Sequence, residues 1–194
     1  MPRMIFGLIF VLVCLFVIST QALDCNEVVS QKKSDDLISF LKTRAQQMDA
    51  ECVSRAITTL GDLRAASGAD ALASFLDFER PQSERERAGV ADPHDKFPAV
   101  PALVSIGLPA VPTLMRKLQG GEMTKVARQN AIRSIVLIHS EDPSRAIETL
   151  KRAATETRTQ EESLRMESSA RDAIRFCSKS WRDRCEAALT ASNR

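Results

Sequence analysis

Apolar residues recur at spacings of three and four from Asp24 to the C terminus, the spacing of amphipathic helices. Two early stripes with this spacing are Leu37, Phe40, Leu41, Ala45, Met48 and Val53, Ala56, Ile57, Leu60, Leu63. The stripe resumes after a break at Ser67-Gly68, and no segment alternates as a half-buried strand would. The pattern therefore predicts an all-α fold with seven or eight helices stacked in order.

Two proline-led segments follow each other in the middle of the chain. Residues 98–103 read PAVPAL, and residues 109–114 read PAVPTL. Proline is tolerated in the first turn of a helix, where backbone N–H groups have no intrahelical partner. Gly107 is suited to the left-handed cap of the first helix, and Gly120-Gly121 to that of the second. We expect short helices over Pro98 to Ile106 and Pro109 to Leu118.

Three longer patterns complete the chain. Residues 124–139 form one helical stripe, and Asp142 is the expected N-cap of a second helix that has Pro143 at its first position. The third, over residues 161–177, is expected to turn Leu164, Ala170, Ala173 and Ile174 inward. A last short helix brings together Trp181, Cys185, Ala188 and Leu189.

The first 22 residues have the features of a signal peptide. Arg3 is the only charge before Asp24, and residues 5–18 are apolar apart from Gly7. This run is shorter than the roughly 20 residues that span a bilayer, and Ala22 ends a small-x-small cleavage site. We expect export to the periplasm or the cell exterior and a single mature domain over residues 23–194. An uncleaved membrane anchor is the alternative.

Composition removes several classes of function. Lys and Arg number 27 against 25 Asp and Glu, so the near-neutral chain has no general attraction for nucleic acid or, after leader cleavage, for a membrane. Only 5% of residues are aromatic and Tyr is absent, which suits helices better than strands. We expect no cofactor and no metal.

Four cysteines remain after the leader, and an even number in an exported chain indicates two disulfides. Their clustering favours Cys25–Cys52 and Cys177–Cys185, with four free buried thiols as the alternative. A helix that ran straight from Cys177 to Cys185 would hold them about 12 Å apart, so the second bridge needs a turn. The turn is expected at residues 178–180, which would fold residues 178–194 back as a cap.

Residues 97–138 resemble the bacterial HEAT-repeat family. The resemblance rests on ALVSIGLPAVP at residues 102–112 and on VARQNA at residues 126–131, one residue longer than the family's Val-Arg-x-x-Ala. It is best over residues 97–177. It implies an α-α superhelix, a short solenoid of antiparallel helix pairs, that binds other proteins along an extended surface and has no common catalytic site.

Residues 80–96 break the helical pattern, since they are charged and contain Pro81, Gly89 and Pro93. We expect a long surface loop, and loops of this length are often functional. Its candidate partner-binding residues are Arg85, Arg87, Asp92, His94 and Asp95. A connector without a role is the alternative, and the pair of aspartates around His94 is more typical of a turn than of a metal site.

The sequence thus favours an exported, non-enzymatic scaffold that binds a protein partner. His139, Ser140 and Asp142 have the residue types of a hydrolase triad, but sequence neighbours do not easily assemble its geometry. We interpret them as a helix terminus. The alternatives are an enzyme similar to the HEAT-like bilin lyases and a structural module that associates with its own kind.

Overall fold

The structure is a computed structural model that describes residues 25–43, 45–81 and 96–191. Within these ranges it is helical and contains no β-strand, so the predicted all-α class is confirmed. The α-helices are α1 (Cys25–Gln31), α2 (Ser34–Thr43), α3 (Ala50–Asp62), α4 (Ala69–Ala73), α5 (Ala99–Ile106), α6 (Val111–Gly120), α7 (Lys125–Ile138), α8 (Ser144–Glu156), α9 (Gln160–Ala173) and α10 (Arg182–Thr190). These ten exceed the expected seven or eight, because short segments such as the five-residue α4 form helices of their own.

The helix ends follow the local signals of the sequence. Gly107 ends α5 with φ +79°, and Gly121 ends α6 in the left-handed conformation with φ +75°. Both values are ones that side-chain-bearing residues rarely adopt, which explains glycine at these positions. Asp142 accepts a hydrogen bond from the Ser144 hydroxyl, while Pro143 occupies the N-cap position of α8, one residue later than expected.

Alternate helices pack against one another in chain order. Helix α3 contacts α5, α5 contacts α7, and α7 contacts α9. The approach of α3 to α5 is closest at Gly61, where an added Cβ would lie 2.5 Å from the Cα of Ala102. The most extensive helix contact is between α8 and α9, and the consecutive helices α7 and α8 touch only slightly. The buried side chains form one continuous core from Cys25 to Ala188.

Two expected core positions lie at the surface instead. Leu164 is 54% exposed, and the buried stripe of α9 runs through Met166, Ser169, Ala170 and Ala173. Leu63 is 36% exposed because α3 ends at Asp62, so Leu63 no longer follows the helix's buried face. The expectation that Leu164 faces inward was wrong because Ser169, a polar residue, occupies the buried stripe.

The two disulfides are the predicted ones. Cys25 and Cys52 join α1 to α3 with Cα atoms 5.8 Å apart, and Cys177 and Cys185 join the end of α9 to α10 at 6.8 Å. The expected turn between the second pair is present, because Cys177 and Ser178 have extended backbone. Disulfides form and persist in oxidising compartments.

In the described ranges, no single helix is both long enough and apolar enough for a bilayer crossing; residues Ala99–Ile106 and Leu108–Gly120 meet those criteria only jointly, across a 113° bend.

Candidate functional site

The two ends of the long charged loop meet at one point. The N–H of Arg80 donates to the carbonyl oxygen of Lys96 at 3.0 Å, and the Lys96 ammonium lies 3.0 Å from a carboxylate oxygen of Glu79. Residues 82–95 lie outside the described residues, and with them all five predicted partner-binding residues: Arg85, Arg87, Asp92, His94 and Asp95. The loop therefore leaves the helical body and returns to it at the same place.

Helix α7 holds the chain just before this loop. The buried Asn130 donates from Nδ2 to the carbonyl oxygen of Leu76 at 2.6 Å. One turn earlier, the Thr124 hydroxyl donates to the Asp77 carboxylate at 2.9 Å and accepts from the N–H of Ala127 at 3.0 Å, so Thr124 also caps α7. A buried amide that loses its partner is costly, so these contacts fix the approach of the chain to the loop.

Aromatic side chains support the same region. The rings of Phe75 and Phe78 pack edge to face with centroids 6.1 Å apart, and the Lys96 ammonium lies 5.4 Å from the Phe97 ring centroid. Both arrangements are favourable ring contacts. We call residues 75–80, Lys96 and Phe97, together with their α7 partners, the loop base.

The sequence analysis found the loop but not its attachment. Asn130 lies between Ala127 and Ser134 at helical spacing, on a face that is otherwise small or apolar. A polar amide on the buried face of a helix implies a buried partner, and this was the available signal. The partner, Leu76, is a backbone group 54 residues away, which no sequence pattern identifies.

A second surface lies where the α5–α6 and α7–α8 turns meet. It is a groove of about 370 Å³ lined by residues that include Leu108, His139, Asp142 and Arg145. His139 is the C-cap residue of α7, which confirms that this segment is a helix terminus. Leu108 is 62% exposed and forms part of the groove wall.

Charge and burial set the ionisation of this groove. Partial burial lowers the pKa of His139 below its ordinary 6.5, and the nearby Arg145 cation lowers it further, against a smaller opposing effect of Asp142. The hydrogen bond from Ser144 is the main cause that lowers the pKa of Asp142, whose carboxylate also lies 3.5 Å from the Arg145 guanidinium. The histidine is therefore neutral and the aspartate ionised at pH 7.

No group of three or more His, Cys, Asp or Glu side chains in the described residues is arranged to hold a metal ion. The chain matches no protein-family model, no curated protein and no solved structure at a significant level.

Proposed function

We propose that this protein is an exported, non-enzymatic helical-repeat scaffold that binds a protein partner in the cell envelope or outside the cell. In this proposal residues 1–22 are a cleaved signal peptide, and the loop at residues 80–96 contributes to recognition. The loop base is the observation that carries the proposal. A connector without a role needs no such attachment, whereas a recognition loop benefits from fixed ends that limit the entropy lost on binding.

The order of helix contacts supports a short solenoid of the HEAT type. Helices α3, α5, α7 and α9 pack in sequence, as one row of a repeat array would. Gly107 and the prolines around it lie at the turn between α5 and α6, which is where the resembling motif places the reversal of a helix pair. The slight contact of α7 with α8 departs from a regular array, so any solenoid is irregular at its C-terminal end.

The disulfides support the exported location. Each joins a short terminal helix to the body, α1 at one end of the chain and α10 at the other. The ends of a repeat array expose apolar surface and need such covers. Covered ends also disfavour the alternative of end-to-end self-association.

The test places a photo-crosslinking amino acid at Arg87, within the loop, in the full chain produced in its natural host. The matched control carries the same amino acid at Glu148, an exposed residue of α8. The proposal expects a discrete adduct with one other protein at position 87 in the exported fraction and none at position 148. Equal labelling at both positions, adducts only with a second copy of the chain, or a protein retained in the cytoplasm would refute it.

A further inference from the structure

We infer that the Cys177–Cys185 disulfide is a redox-controlled clasp, and that its reduction by a dithiol releases residues 178–191 from the body of the protein. We call these residues the C-terminal cap. The inference does not depend on the identity of any partner. It rests on how little else attaches α10, on the backbone that joins it to α9, and on the surface beneath it.

Helix α10 has few apolar anchors. Of its nine residues only Cys185 and Ala188 are buried, and Cys185 is one half of the disulfide. Helix α3, by comparison, buries seven of its 13 residues, including Ile57 and Leu60. Isolated helices shorter than about 12 residues are marginal in water, so α10 depends on its attachment to stay folded.

The remaining attachments lie at the cap's edges. The Lys151 ammonium of α8 donates to the carbonyl oxygens of Ala188, at 2.9 Å, and of Ala191, at the C-terminal end of α10. Trp181 is half-buried, and the Arg184 guanidinium lies 5.0 Å from its ring centroid. A cation at a helix C terminus and a partly exposed ring contact are modest contributions that water replaces in part.

The connection between α9 and α10 allows the cap to move as a unit. Cys177 and Ser178 have ψ values of 130° and 160°, so the helical hydrogen bonding of α9 does not continue into the cap. The bonds on either side, from the N–H of Cys177 to Ile174 and from that of Trp181 to Ser178, are local to each segment. Rotation at these two residues breaks neither helix.

The cap covers the hairpin of α8 and α9. A cavity of about 280 Å³ lies among the three helices, with Ala154 and Ala170 on the body side and Leu189 on the cap side. Release of the cap opens this cavity and exposes Ala154 and Ala170, which are buried in the closed form. The small side chains leave the cap without interlocking contacts at this point.

The redox step is ordinary thiol–disulfide exchange. A thiolate of the dithiol attacks one sulfur of the bridge and the S–S bond breaks, giving a mixed disulfide and one cysteine thiolate. The second thiol of the reductant displaces the other cysteine. Two electrons pass to the protein, Cys177 and Cys185 each end with a proton, and the dithiol becomes a disulfide. Because both cysteines are buried, reduction proceeds through transient opening of the cap.

The experiment measures hydrogen exchange of the full chain in oxidised form. The variant C177A/C185A removes the clasp, and C25A/C52A removes the other disulfide as the matched control. In C177A/C185A we expect exchange of the α10 amides to rise by at least about tenfold, since the released state is no longer restricted by the bridge. Exchange in α3 and α5 stays at the wild-type rate. In C25A/C52A the α10 amides keep their wild-type rate.

Chemical reduction of the wild type separates the clasp from the loss of sulfur packing. Dithiothreitol should accelerate α10 exchange, and reoxidation should restore the slow rate. Two results would overturn the inference: α10 exchange in C177A/C185A as slow as in the oxidised wild type, or an equal rise in α3, α5 and α10, which would mean global unfolding instead of cap release.

Discussion

Gly61 tests the packing of α3 on α5, the first contact of the row of alternate helices. In Gly61→Ala the new Cβ would lie 2.5 Å from the Cα and 2.6 Å from the Cβ of Ala102, closer than real side chains come. The neighbour is helix backbone, so α5 has to retreat by about 1 Å to reach ordinary contact. Such overpacking costs about 1–3 kcal/mol, and the better helix propensity of alanine returns up to about 1 kcal/mol.

We therefore expect Gly61→Ala to lower the free energy of unfolding by about 1–2 kcal/mol. At about 2–4 °C per kcal/mol for a chain of this size, the Tm falls by about 2–8 °C. Gly120→Ala is the matched control, because nothing lies within 4 Å of its added Cβ. It should be neutral or stabilising. Thermal unfolding by circular dichroism measures both, and a Gly61→Ala variant as stable as Gly120→Ala would refute the close helix approach.

Three further substitutions test the core, the groove and the N-terminal disulfide. Asn130→Ala removes the hydrogen bond to the buried carbonyl of Leu76 and should destabilise the fold by about 1–3 kcal/mol in urea unfolding; an unchanged midpoint would contradict the loop base. The pKa of His139 is lower in the folded protein than its ordinary 6.5, so the unfolded chain binds more protons and stability falls as the pH drops through 6.5. His139→Gln should reduce that fall between pH 7.5 and 5.5, and an unaltered pH dependence would count against it. C25A/C52A should lose about 3–4 kcal/mol, since the bridge closes a long loop, and peptide mapping without reduction that found free thiols would disprove the pairing.

The sequence predicted the features whose cause is local. Gly107 and the prolines of α5 and α6 mark their helix ends through backbone restrictions that act within a few residues. The disulfide pairing was also accessible, because each cysteine has one near neighbour in the sequence. For Cys177 and Cys185, the length of a straight helix alone showed that a turn was needed.

The features that escaped prediction depend on distant partners. Ser169 lies on the buried face of α9 because Arg128, 41 residues earlier, donates to its hydroxyl at 3.0 Å. Without that partner a serine looks like a surface residue, and Leu164 was placed inside in its stead. The attachment of the loop base through Asn130 likewise joins groups 54 residues apart. Periodicity shows which face is apolar but not which polar groups are satisfied across the fold.

The affinity of the crosslinked partner for a loop-replaced chain tests the proposed function most directly. Residues 82–95 are exchanged for a short Gly-Ser link, with Arg80 and Lys96 kept so that their hydrogen bond still closes the base. Loop-closure entropy changes slowly with length, so the Tm should stay close to that of the wild type. We predict a Kd for the purified partner that is weaker by at least about tenfold, the equivalent of about 1.4 kcal/mol. An unchanged Kd in a protein of unchanged Tm would contradict recognition through this loop.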